Sequence, residues 1–235
     1  MFFPYFDPTY LLILPAMIFA LFAQARVQST FQKYLRVRAR SGMTGAQAAA
    51  GILSSSGLGN VSIEQIPNTL GDHYDPRSNT LRLSPQVYGQ ASLASVAVAA
   101  HEAGHAIQHS QGYQPLAIRQ AILPVASIGS NLALPLFILG FLFASGSGGM
   151  GDFLMTLGIW LFVGAVVFQI VTLPVEFNAS KRALGLLADN GYIAEDEVGG
   201  ARQVLQAAAL TYVAAAAVAL SQLLRLLVLR GNRRD

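Results

Sequence analysis

The chain has 235 residues, 53% of them hydrophobic and only 11% charged, with 15 basic and 12 acidic side chains and a formal charge of +3. A charged fraction under half of the roughly 25% usual for soluble domains excludes an ordinary soluble enzyme and points to an integral membrane protein with a modest polar domain. The basic residues gather beside apolar segments, which is not a nucleic-acid footprint, and the lack of cysteine excludes disulfides and thiolate metal sites.

Thr9 to Ala25 is an uncharged apolar run at the short end of what a spanning helix needs. A cleaved signal peptide competes, because Ala23-Gln24-Ala25 resembles a cleavage site, but Asp7 precedes the run where a signal carries a basic residue. Arg26, Lys33, Arg36, Arg38 and Arg40 follow with no acid among them. That asymmetry places the amino terminus outside and residue 26 onward in the cytoplasm.

Residues 41 to 111 form the first polar stretch. Thr44 predicts a capped helix to about Ser56, closed by Gly57 and Gly59. Val61, Ile63 and Ile66 predict a short strand. The turn-rich segment Gly71 to Asn79 and the alternating Thr80-Leu81-Arg82-Leu83 predict a hairpin whose second strand runs beside the next long helix. Ser84-Pro85 pairs a cap with a first-turn proline and opens a short helix.

Ser92 to His109 reads as one continuous helix, and it contains His101-Glu102-Ala103-Gly104-His105. Residues four apart share a helix face, so His101 and His105 can offer both imidazoles to one ion. Glu102 lies on the flank of that pair, within reach of a water but not as a ligand. This is the zincin pattern of two histidine ligands and a glutamate base. By chance it turns up on the order of once in a thousand shuffled chains of this composition. As plain core, two imidazoles and a carboxylate would be costly to bury without partners.

Ala121 to Phe143 is apolar again, relieved by Ser127, Ser130 and Asn131. The Gly-rich connector Ser145 to Asp152 has no basic residue, which suits the outside face, and Phe153 to Pro174 is the clearest spanning helix. The chain then returns to the cytoplasm at Val175 to Arg182. Glu195, Asp196 and Glu197 start a last helix, rich in Ala and Leu from Ala207 to Leu229, that ends among Arg225, Arg230, Arg233 and Arg234. Crossing the membrane there would put arginines outside, so this helix is expected to be embedded with its crossing left open.

The expected fold is therefore mainly α: an integral membrane protein with three to four transmembrane helices and a small cytoplasmic zincin-like α+β catalytic domain. Its divisions are a first span in 1–25, the catalytic domain with the metal helix in 26–118, a transmembrane hairpin in 119–175, and a closing region in 176–235.

Zinc needs a third protein ligand and leaves the fourth place for water. His109 sits about 12 Å along the helix axis from His101, too far for the same ion, and reads as a surface or supporting residue. His73 lies in the upstream loop, Glu64 in the first strand region, and Glu195 and Glu197 at a solvated helix start. Glu176 stands out by position: a carboxylate directly after a charge-free span needs a partner.

HEAGHAIQH, the upstream DHYDP and LRLS segments, and PVEFNASKRAL after two apolar helices together resemble the bacterial YugP-type neutral zinc metallopeptidases over nearly the whole chain. A more distant resemblance is to the HtpX and CAAX-prenyl-protease group of membrane gluzincins. That likeness implies Glu176 as the third ligand of a single Zn²⁺ held by His101 and His105, and Glu102 as the general base. Those proteins place an Asp four residues after the third ligand; Ser180 stands there instead. His73, Ser180, Arg182, Tyr192 and Tyr212 are the candidates for an oxyanion donor or for support of the ligands.

The implied activity is peptide hydrolysis at the cytoplasmic surface of the bacterial inner membrane. The expected partners are membrane lipid and peptide or membrane-protein substrates, with no nucleic acid and no expectation about oligomeric state. A membrane scaffold with a structural zinc is the rival reading. A zinc carrier is less favoured, because Phe153 to Pro174 holds no charged residue or histidine to line a path.

Overall fold

The structure is a computed structural model that describes residues 7–68, 71–143 and 149–232. Residues 145–148 of the Gly-rich connector, and Arg233 and Arg234, lie outside the described residues. The chain is mainly helical, and its contacts divide it into two units: Met1–Phe22, Ile118–Leu173 and Tyr212–Asp235 in the first, Ala23–Ala117 and Pro174–Thr211 in the second.

The second unit holds the end of α1 (Leu14–Leu35), then α2 (Gly45–Ser55), three strands, α3 (Pro85–Gly89) and α4 (Leu93–Ser110). α2 begins where its cap predicts. The Thr44 hydroxyl accepts from the Gln47 amide at 3.2 Å and Gln47 Oε1 accepts from the Thr44 amide at 2.9 Å, so two orphan donors of the first turn satisfy each other. Gly57, at φ +75°, closes the helix in a conformation that a side chain resists. Ile52 and Leu53 of α2 bury against Leu81, Leu83, Val87, Leu93 and Val96, and this core fixes the strands to α4.

The sheet has the order β1 (Ser62–Gln65), β3 (Thr80–Leu83), β2 (His73–Asp75). The expected hairpin is present as β2 antiparallel to β3, with Tyr74 opposite Leu81, while β1 runs parallel to β3 with Ser62 opposite Thr80. β3 is thus the central strand. Thr80–Leu83 has both hydrogen-bonding edges taken, which leaves no free edge there for an extended peptide to pair with. The turn between β2 and β3 is pinned by Asp75, whose carboxylate accepts from the Arg77 amide, the Ser78 hydroxyl and Arg82 Nη1 at 2.8 to 2.9 Å. Arg82 first, then Ser78, hold that carboxyl well below the usual carboxylate range. Ser84 occupies the cap position before Pro85, yet its amide and hydroxyl both go to the Asp72 carboxylate, at 2.7 and 3.1 Å.

The first unit holds a 3₁₀ turn at Pro8–Leu12, the start of α1, most of α5 (Gln114–Phe143), α6 (Met150–Asp189) up to Leu173, and the end of α7 (Val198–Gly231). Among the described residues three helical stretches are long and apolar enough to cross a membrane: Gln114–Phe143, Met150–Asp189 and Glu195–Gly231. The closing helix, whose crossing the sequence leaves open, is one of them; α1 is not. α5 and α6 approach closely through glycines, and a Cβ on Gly158 would meet the Ala133 carbonyl oxygen at 2.6 Å.

Two of the four arginines at the end of the last helix, Arg225 and Arg230, are paired inside this unit. Arg225 Nη2 donates to Asp7 Oδ2 at 2.8 Å and its Nε to Thr9 Oγ1 at 3.0 Å, with the guanidinium 3.9 Å from the Tyr10 ring centre. Arg230 donates through Nε and Nη2 to both oxygens of Asp152 at 3.2 Å. α6 differs from its expected form: the span Phe153 to Pro174 and the helical segment after it are one helix of 40 residues, carried through Pro174.

Candidate metal centre

α4 starts on Ser92, whose hydroxyl accepts from the Ser95 amide at 3.1 Å, and from Leu93 to Ile107 almost every side chain of it is buried. The helix meets α6 at Gly104. A Cβ there would stand 2.8 Å from the Ala179 carbonyl oxygen, so only glycine lets the two backbones come so near. Ala179, fully buried, stands at that crossing. Small residues therefore set the polar face of α4 directly against Glu176 of α6.

Two imidazoles converge on one carboxylate at this crossing. His101 Nε2 lies 3.1 Å and His105 Nε2 3.5 Å from Glu176 Oε2, and the two rings meet edge to face with centroids 4.7 Å apart. The candidate ligand atoms of the three residues all fall within 4.8 Å of one another. Glu176 is only 1% exposed. Burial pushes the His105 imidazole toward neutrality, but Glu176 within hydrogen-bonding reach, with help from Glu102 and Gln108, outweighs it and leaves the ring above its usual pKa. Three converging donors of the imidazole and carboxylate type suit a zinc ion, which takes nitrogen and oxygen ligands at about 2 Å and keeps one position open. The residues fit the ion.

The outer nitrogen of each ring also has a partner. His101 Nδ1 lies 3.1 Å from Ser180 Oγ, and His105 Nδ1 lies 3.0 Å from Gln108 Oε1. Ser180 lies one helical turn after Glu176 on α6. Gln108 goes unnoticed in the sequence reading. Its signal is nevertheless there: spacings of three and seven residues from His105 and His101 put it on the same face of α4.

Glu102 stands outside the converging group. Its Oε2 accepts from the Tyr74 amide of edge strand β2 at 3.1 Å, and the residue is 8% exposed. His73, beside it on β2, is exposed and places Nδ1 2.7 Å from the Gly71 carbonyl. His109 is exposed too, with Nδ1 2.9 Å from the Tyr74 hydroxyl. Arg182 donates to Asn178 Oδ1 at 2.7 Å and to Gln111 Oε1 at 2.6 Å, and Tyr192 lays its hydroxyl against Gly51 of α2. Glu64 pairs with Arg82 at 3.6 Å, and Glu197 accepts from the amides of Arg40 and Ala194. Tyr212 opens the C-terminal segment of the first unit.

Residues 9–231 match the family model described as "Putative neutral zinc metallopeptidase". The chain is 46% identical over 224 residues to the "Putative membrane protease YugP" of Bacillus subtilis (strain 168), covering 95% of this chain and 97% of that protein. No solved structure matches it.

Proposed function

The chain belongs to the neutral zinc metallopeptidase family, and from that premise we propose that it is a zinc-dependent endopeptidase acting on peptides at a membrane surface. One observation carries the reading. His101, His105 and Glu176 converge within 4.8 Å, while Glu102, next in sequence to a converging histidine, is held apart by the Tyr74 amide. A site meant only to lock a fold closes on a fourth ligand and has no use for a carboxylate set aside.

Zinc held by the two histidines and Glu176 supplies Lewis acidity and makes a water acidic near neutral pH. The protein's own part is proton handling. Glu102 takes the proton of the attacking water and passes it to the leaving amide nitrogen, so that the tetrahedral adduct collapses to an amine and a carboxylate. The Tyr74 amide holds the Glu102 carboxylate in place for both transfers. With β3 already paired on both sides, an extended peptide pairs with one of the edge strands instead.

Glu176 follows the charge-free stretch Phe153 to Pro174 on one unbroken helix, which favours membrane-protein tails and juxtamembrane segments as substrates. The basic residues from Arg26 to Arg40 favour a cytoplasmic site in the bacterial inner membrane. Glu102→Gln in the full chain tests the enzyme reading. It is expected to keep near-stoichiometric zinc and lose hydrolysis by about 10²–10⁴-fold. Equal behaviour of wild type and variant against membrane-protein substrates, with zinc bound in both, would replace the enzyme with a scaffold.

A further inference from the structure

We infer that Gln108 is a positioning residue for the metal centre, fixing His105 in the tautomer whose Nε2 is free to bind and tying that ring to the helix that carries Glu176. The inference rests on the zinc reading above and adds to it a residue outside the ligand set.

The argument runs along a chain of hydrogen bonds whose two ends permit only one polarity. At one end stands the Val175 carbonyl, which can only accept; it lies 2.8 Å from one terminal atom of the Gln108 amide, so that atom is the NH₂. At the other end stands Arg182, which can only donate. Its Nε reaches Asn178 at 2.7 Å, which makes the Asn178 atom there the oxygen, and the same oxygen lies 3.0 Å from the Gln108 NH₂. Both constraints orient the Gln108 amide the same way. Its Oε1 therefore faces His105 Nδ1 at 3.0 Å as an acceptor, and Nδ1 must carry the proton. The lone pair of a neutral ring is then left on Nε2, the atom that faces Glu176.

Burial removes the usual substitute. Gln108 is 0% exposed, so no bulk water can take over the acceptor role if the amide is lost. Its neighbour on the other ligand is less decisive: the Ser180 hydroxyl beside His101 Nδ1 can rotate and either donate or accept. Of the two histidines, His105 is the one whose tautomer is dictated by the fold. Outer partners of this kind typically change metal affinity about 10- to 100-fold.

The test is zinc affinity by chelator competition on the full chain in detergent, together with the visible spectrum of the Co²⁺-substituted protein. Gln108→Leu is expected to weaken zinc by about 10- to 100-fold and to alter the cobalt spectrum, more than Ser180→Ala does. Gln108→Glu keeps an acceptor for His105 but loses the donor toward Val175. It is expected to recover most of the affinity while melting no higher than the leucine variant. Ile52→Ala, a cavity in the α2 core outside this hydrogen-bond chain, is expected to lower stability and leave affinity near wild type. If Gln108→Leu does not accumulate as folded protein, Gln108→Met takes its place with the same expectation. Wild-type affinity in the leucine or methionine variant, or glutamate no better than leucine, or an equal loss in Ile52→Ala, overturns the inference. A wild type that binds no zinc overturns the metal reading itself, and Gln108's role with it.

Discussion

In the second unit the buried polar groups converge. Three side chains from two helices point at one spot, and Ser180 and Gln108 back the two rings. In the first unit two arginines are dealt with in pairs, Arg225 with Asp7 and Arg230 with Asp152. Pairing neutralises each charge and leaves nothing to offer a ligand. Convergence does the opposite, because with the proton of His105 on Nδ1 its Nε2 lone pair faces the Glu176 carboxylate, and two acceptors turned on each other leave a place for a proton or a cation. Arginine paired with aspartate thus gives adhesion in one unit, and two imidazoles gathered on one carboxylate give a candidate binding site in the other.

Removing one converging group should have the largest effect. His105→Ala is expected to bring zinc from about one per chain to near none by elemental analysis, with hydrolysis and the melting gain on zinc addition lost together. Zinc retained at wild-type level would mean that the convergence is not the binding site. The next effect probes the crossing that creates the convergence. Gly104→Val forces side-chain atoms toward the Ala179 carbonyl, and a cost of about 1–3 kcal/mol in denaturant unfolding, with weakened zinc binding, is expected.

Breaking a pair in the first unit should leave the metal alone. Arg225→Ala leaves Asp7 without its guanidinium and is expected to cost about 1–3 kcal/mol while zinc stoichiometry stays at the wild-type value. Loss of zinc in that variant would break the distinction between the units. The smallest effect is at Asp75 on the turn after β2. Its folded pKa is depressed, so its contribution is present above the unfolded value of about 3.9 and fades as the pH falls below it. A small stability gap between wild type and Asp75→Asn at neutral pH is expected to close progressively below about pH 4 in pH-dependent melting.

Local rules were enough for much of this. Thr44 marks the start of α2, Ser84-Pro85 that of α3, and the His101 and His105 spacing names one face of α4. Each depends on residues within a turn or two of each other, where helix geometry leaves little freedom. Glu176 was legible by a different route, as a charge beside an apolar run that had to find a partner. The rest depends on contacts far apart in sequence. Nothing near Arg225 says that Asp7, 218 residues away, will pair with it. The parallel partner of β3 is likewise invisible to alternation, which shows which face is buried but not how many neighbours a strand has. Pro174 reads as a helix end and is overridden by α6 itself, whose next turn carries Glu176.

The bond from the Tyr74 amide to Glu102 is made by main chain, and that changes what mutation can do to it. Every side chain except proline at position 74 leaves the donor in place, so the contact tolerates drift in the residue that makes it. Its vulnerability lies in chain length. Adding or deleting one residue in the turn at 76–79 shifts the pairing of Tyr74 with Leu81, and in a strand of period two that points the amide the other way. Here the contact to Glu102 is protected by counting rather than by chemistry: substitutions along β2 and its turn leave the amide donor in place, and a single insertion does not.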